Sequence, residues 1–207
     1  MIKNIVFDFG GVIVNLDRER AIRTFVEMGV TDAASLLDPY HQHGVFLEVE
    51  NGKCNATEFC EKLSTLYKRE ITDADAERGW LSFMDGVPQK RLALIQELRK
   101  TYNVYVLSNI NPFVMRWVHS DAFSEDGHPL DDYVDRIFTS YEIKKMKPHR
   151  EIFDYMIAQT GLRPEESVFL DDGPKNVEAA RALGFHTFQP INKEDWTDAF
   201  CRMLATL

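Results

Sequence analysis

The feature that most restricts this chain is a set of short apolar runs that each stop at polar residues. Ile2 to Phe9 is a nearly continuous apolar run with β-branched residues, and it ends in Asp8-Phe9-Gly10-Gly11. Such a run reads as a strand buried on both faces. Val104 to Leu107 ends in Ser108-Asn109, and Ser167 to Leu170 ends in Asp171-Asp172-Gly173. Ile137-Phe138 and Phe185–Phe188 are shorter strand candidates. Helical spacing fills the intervals. It runs over Pro88–Lys100, with Leu92, Ile95 and Leu98 on one side, over Pro148–Gln159 and Lys175–Leu183, closed by Gly161 and Gly184, and over Glu194–Leu204. Strands alternating with helices imply an α/β fold, a Rossmann-like parallel sheet with helices on both faces.

Residues 15–86 break this rhythm. Asp17 is placed to cap a helix through Met28 that Gly29 stops, and Asn55 with Glu58 forms a capping-box pattern opening a helix to Tyr67. Thr72 or Asp73 is placed to cap a third helix, containing Trp80, Leu81 and Met84. The expected organisation is a core of residues 1–14 and 87–207, with an all-α insertion of residues 15–86 after the first strand. The polar stretch from Ser120 to Asp132 reads as a surface loop.

Lys plus Arg number 24 against 33 Asp plus Glu, a formal net charge of −9. That balance argues against nucleic acid and against anionic membranes as partners. It also means that an anionic ligand must be held by a few placed cations or by a metal. The three cysteines include no C-x-x-C pair, so neither a disulfide framework nor a structural zinc site is expected, and a reducing, cytoplasmic compartment fits. Lys3 and Asp8 interrupt the apolar N-terminus and no small-residue cleavage site follows, so it does not read as a signal peptide. No apolar run approaches the roughly 18 residues that a membrane span needs.

In an open parallel α/β sheet, ligands bind at the carboxyl ends of the strands. The residues due there are Asp8, Ser108, Asn109, Asp171 and Asp172, with Lys147 from Lys144-Lys145-Met146-Lys147-Pro148 between the last two strands. This set suits phosphoryl transfer. Asp8 is a nucleophile able to form an acyl-phosphate. Its approach to a phosphate needs charge compensation, which Mg²⁺ held by Asp8, Asp172 and a backbone carbonyl would supply. Ser108 is placed to hydrogen-bond a phosphoryl oxygen, and Lys147 to neutralise charge on Asp8 and on the phosphoryl group.

Four motifs in order carry a family resemblance: Asp8-Phe9-Gly10-Gly11-Val12, Val106-Leu107-Ser108-Asn109, Lys147-Pro148, and Phe169-Leu170-Asp171-Asp172-Gly173-Pro174-Lys175-Asn176. Over roughly residues 2 to 189 the chain resembles the haloacid dehalogenase-like hydrolase superfamily, which is mostly Mg²⁺-dependent phosphatases. The insertion looks like that family's small helical cap. The Gly44–Phe59 stretch and the Asp171-Asp172-x-x-x-Asn176 ending resemble the branch of α-glucose-1-phosphate phosphatases and the phosphatase domain of epoxide hydrolases. The resemblance implies Asp8 and Lys147 as catalytic residues. It implies Ser108, Asn109 and Lys147 at the phosphate, and Asp8, the Gly10 carbonyl and Asp172 at the metal. Asp171 and Asn176 would stand behind these, orienting metal-bound water or Lys147. The implied reaction is hydrolysis of a small phosphorylated metabolite, by analogy a sugar phosphate.

The chain departs from the family at Gly10. Most family phosphatases carry there a second Asp that protonates the leaving group, a role typically worth about 10²–10⁴-fold. Activity on a good leaving group is one reading, and protonation by a residue of the insertion (His41, His43 or Glu48) is another. Two alternatives to a phosphatase stand beside these. A dehalogenase-type hydrolase fits Gly10 but has no use for Asp171-Asp172, and a non-catalytic phospho-ligand binder has no need of a nucleophile. Phe46, Trp80, Phe83 and Met84 read as packing residues of the insertion. Phe113, Met115, Trp117, Trp196 and Phe200 read as packing residues of the core, and Lys144 and Lys145 as solvated lysines.

Overall fold

A computed structural model describes residues 1–38 and 42–207. The strands are β1 (Asn4–Phe7), β2 (Asn103–Ser108), β3 (Arg136–Thr139), β4 (Ser167–Leu170) and β5 (His186–Phe188). They form one parallel sheet of order β3-β2-β1-β4-β5. β1 lies centrally, paired Asn4 to Asn103 on one side and Asn4 to Ser167 on the other. It is shorter than the predicted run, pairing with both neighbours over Asn4–Phe7 alone. The chain leaves β1 towards β2 on one side, and β4 lies on the other. The crevice at the carboxyl ends of these three strands is the switch point where α/β sheets bind ligands.

Between β1 and β2 the chain forms α1 (Arg18–Glu27), α2 (Ala33–Leu36), α3 (Gly44–Glu50), α4 (Ala56–Tyr67), α5 (Asp73–Leu81) and α6 (Gln89–Arg99). The predicted caps are in place. Asp17 accepts from the Arg20 N–H, Asn55 and Glu58 close a capping box, and Thr72 and Asp75 close another. The segments entering and leaving α1–α5 pair with each other: Asn15 N donates to Gly86 O at 3.0 Å, and Asp85 N to Asn15 O at 2.7 Å. Phe25, Phe46, Phe59 and Trp80 interlock at centroid distances of 4.8 to 6.1 Å. Phe59 carries this cluster across to Phe113 at 5.4 Å, on α7 (Pro112–Val118). Aromatic pairs of this kind contribute about 0.5–1.5 kcal/mol each beyond their burial.

The remaining helices are α8 (Ser140–Ile143), α9 (Arg150–Thr160), α10 (Pro174–Ala182) and α11 (Thr197–Leu204). α11 begins three residues later than its periodicity predicts, because Asp195 Oδ1 accepts from Thr197 N at 3.1 Å and Oγ1 at 2.6 Å. The predicted loop over Ser120–Asp132 is partly interior. Phe123 is buried 5.1 Å from Trp117 and 6.3 Å from Phe9, and Leu130 is buried at the start of a 3₁₀ turn. Cys54, Cys60 and Cys201 are free thiols. Among the described residues no helix is long and apolar enough to cross a membrane.

Candidate active site

One cavity lies over the carboxyl ends of β1, β2 and β4. Asp8, Gly10, Ser108, Asn109, Lys147 and Asp172 line it, and so do Asn176 and residues of the helical insertion. The sheet thus brings together residues that are as much as 164 positions apart, as the strand-end pattern predicts.

Asp8 follows β1 directly. Its backbone N–H donates to Leu170 O at 2.7 Å, and its Oδ1 accepts from Phe9 N at 2.6 Å. Gly11 then turns the chain with φ +74°, and a Cβ there would sit 2.2 Å from Asp172 Oδ2. The glycine therefore serves two needs, a left-handed backbone and room for the Asp172 carboxylate against the loop that follows Asp8. A Cβ on Gly10 would stand 2.9 Å from Leu16 Cδ1, so Leu16 occupies the side where a longer residue would project.

Lys147 is fully buried. Its Nζ lies 2.9 Å from Asp8 Oδ1 and 2.6 Å from Asp171 Oδ2. Burial opposes its charge, but the carboxylates of Asp171 and Asp8 outweigh it and hold the ammonium above the usual lysine value. The lysine is held by Asn109, whose Oδ1 accepts from Lys147 N and whose Nδ2 donates to Lys147 O, both at 2.9 Å. Both ends of that amide are thus engaged on the backbone of Lys147. Ser108 Oγ has only a 3.5 Å contact to Asn109 O, too long to count as a firm bond, which leaves its hydroxyl to the cavity.

The two acidic neighbours differ. Asp171 does not line the cavity. Its Oδ2 accepts from Lys147, and its Oδ1 accepts from Gly173 N at 2.8 Å and Asn176 Nδ2 at 2.9 Å. Asn176, one helical turn after Asp172, thus binds Asp171. Asp172 faces the cavity, and burial together with the charges of Asp8 and Asp171 pushes its carboxyl up to about 7. Oxygens of Asp8, Asp171 and Asp172 all lie within 4.8 Å of one another. Three carboxylates against one ammonium leave uncompensated negative charge, which suits a hard divalent cation with oxygen ligands.

The insertion covers the cavity with Gln42, Glu50, Trp80, Phe83 and Met84. Phe46 is a packing residue, as expected. Trp80, Phe83 and Met84 also form cavity wall, because the aromatic cluster lies directly above the strand ends. Glu48 forms an ion pair with Lys62 at 2.6 Å on the surface and does not reach the cavity. His43 is exposed at the start of α3 and is not among the lining residues, and His41 lies outside the described residues. Glu50 was missed by the sequence reasoning. The signal for it is its position, since Phe46, Val49 and Glu50 stand at i, i+3 and i+4 on the buried face of α3.

Residues 2–184 match the family model described as haloacid dehalogenase-like hydrolase. A protein of Bacteroides thetaiotaomicron named D-ribitol-5-phosphate phosphatase is 50% identical over 196 residues, 95% of each chain. A solved structure described as a predicted HAD-like family hydrolase from Porphyromonas gingivalis superposes with a TM-score of 0.95 at 41% identity, covering 99% of this chain and 98% of that one. An aspartate-to-alanine variant of a HAD family enzyme from Bacteroides thetaiotaomicron, crystallised with magnesium and inorganic phosphate, superposes with a TM-score of 0.91 at 34% identity. It covers 97% of this chain and 99% of that one. With its strand-end carboxylates, its buried lysine and this breadth of likeness, the chain belongs to the haloacid dehalogenase-like hydrolase family.

Proposed function

We propose that this hydrolase is a Mg²⁺-dependent phosphomonoesterase acting on a phosphorylated sugar alcohol through an aspartyl-phosphate on Asp8. The observation that carries the reading is Asp8 itself. It is a carboxylate lining a cavity, 2.9 Å from the Lys147 ammonium, with Asp172 nearby. Asp8 attacks phosphorus, and Lys147 stabilises charge on Asp8 and on the phosphoryl oxygens. Ser108 Oγ donates to one of those oxygens. We assign the Asn109 side chain to holding Lys147 beside the phosphate. Asp8, the Gly10 carbonyl and Asp172 would hold Mg²⁺, which when bound neutralises the repulsion between carboxylate and phosphate. Asp171 and Asn176 steady the lysine. Residues 15–86 act as a cap that closes over the substrate.

The sugar-alcohol reading draws on the 50% identical relative named D-ribitol-5-phosphate phosphatase. Two atoms on the cap side agree with it. Gln42 Oε1 and Trp80 Nε1 are buried polar atoms of cavity-lining residues and have no hydrogen-bond partner among the described residues. An orphaned acceptor and an orphaned donor cost free energy until something pairs with them. The hydroxyls of a polyol can pair with both.

The test is phosphate release from D-ribitol 5-phosphate and a panel of sugar and sugar-alcohol phosphates, with and without Mg²⁺. Expected are Mg²⁺-dependent turnover, its removal by EDTA, and its loss in Asp8→Asn. Turnover by Asp8→Asn equal to that of the native chain would overturn the nucleophile.

A further inference from the structure

Two residues after Asp8, where most phosphatases of the resembled family carry an acid, this chain has Gly10. The leaving alkoxide of a sugar alcohol is a strong base and needs a proton. Gly10 carries no side chain, so the proton has to come from elsewhere in the cavity. The titratable side chains among its described lining residues are Asp8, Glu50, Lys147 and Asp172. Asp8 is the nucleophile, Asp172 belongs with the metal, and Lys147 is held between Asp8 and Asp171.

Glu50 is the remaining acid, and the fold fixes its position. It is the last residue of α3 and is 7% exposed. Its backbone carbonyl accepts from Ser140 Oγ at 2.6 Å, and Ser140 Oγ in turn accepts from Ile110 N at 3.0 Å. Ser140 directly follows β3, and Ile110 lies two residues after β2. This residue of the insertion is therefore pinned to the carboxyl edge of the sheet. Gly52 lets the chain pass close by, since a Cβ there would meet Tyr141 O at 2.1 Å.

We propose that Glu50 is the general acid of this enzyme, protonating the leaving oxygen from the cap side in place of the acid missing at position 10. The inference rests on the phosphatase reading. In the first step Asp8 forms a bond to phosphorus, the phosphorus–oxygen ester bond breaks with its electron pair on the leaving oxygen, and that oxygen takes the Glu50 proton. In the second step Glu50, now a carboxylate, accepts a proton from the water that attacks the aspartyl-phosphate. Phosphate leaves, Asp8 is restored, and Glu50 is again an acid. The protonation state agrees with this role. Burial, with the charge of Asp8 added, pushes the Glu50 carboxyl up to about 8, so it carries a proton at neutral pH.

The experiment compares Glu50→Gln with the native enzyme on two substrates. D-ribitol 5-phosphate has an alkoxide leaving group that needs a proton, and 4-nitrophenyl phosphate has a phenolate that leaves without one. Expected is a loss of about 100-fold or more in the first-step rate with ribitol phosphate. The nitrophenolate burst should stay within a few-fold of native. The ratio of the two losses is measured within one variant, so it does not depend on how much of that variant folds. Glu50→Asp, with a shortened but intact acid, should recover part of the ribitol phosphate rate. Equal losses on both substrates, or no loss on ribitol phosphate, would overturn the assignment while the phosphatase reading stands. A native enzyme that turns over neither substrate would overturn both.

Discussion

Lys147 Nζ donates to Asp171 at 2.6 Å, a shorter contact than its 2.9 Å approach to Asp8. The buried ammonium is thus anchored by one carboxylate that does not face the cavity and directed towards one that does.

Lys147→Met keeps much of the side chain's length and removes its charge. It leaves Asp171 as a buried carboxylate with its partner gone. Breaking a buried pair from one side typically costs about 3–5 kcal/mol. Urea unfolding at pH 7 should show a loss of that order, and turnover should vanish. The deficit should shrink at lower pH, as the stranded carboxylate takes up a proton.

Gly11→Ala places a methyl group 2.2 Å from Asp172 Oδ2 on a backbone with φ +74°. Strain and displacement of the carboxylate act together there. The Mg²⁺ concentration giving half-maximal activity should rise at least tenfold, with a clear fall in thermal midpoint. Unchanged Mg²⁺ dependence would show that Asp172 is not where the metal is held.

Trp80→Phe removes the orphaned indole N–H and keeps an aromatic ring in the cluster formed by Phe25, Phe46 and Phe59. If that N–H pairs with a substrate hydroxyl, its loss should cost about 1 kcal/mol or somewhat more in kcat/KM for ribitol 5-phosphate. Hydrolysis of an aryl phosphate, which has no such hydroxyl, should change little. Steady-state kinetics on both substrates checks this.

Glu50 has a stability signature of its own. Its ordinary carboxyl value is 4.5 and burial pushes it up to about 8, so between these the folded chain binds a proton that the unfolded chain has released. Stability then falls as pH rises through that window, by about 1.4 kcal/mol per pH unit for a single proton. Glu50→Gln carries no such proton. Its stability should match the native chain near pH 4.5 and exceed it at pH 8, as read from urea midpoints across pH. This is the opposite of the usual paired-carboxylate pattern.

The local amino-acid pattern foretold the strands, the capped helices and which residues stand at the strand ends. It could do so because strand burial, helix capping and the step from strand to loop are local properties. Asp8, Ser108, Lys147 and Asp172 reach one cavity because parallel strands in a single sheet end on the same side. What faces them follows from long-range packing. Trp80 is both cluster and wall, and Glu50, not Glu48, lines the cavity. The Asn109 amide is engaged on Lys147, and Asn176 binds Asp171. Which face of an inserted helix meets a distant strand end depends on packing between residues scores of positions apart, and no local pattern encodes that.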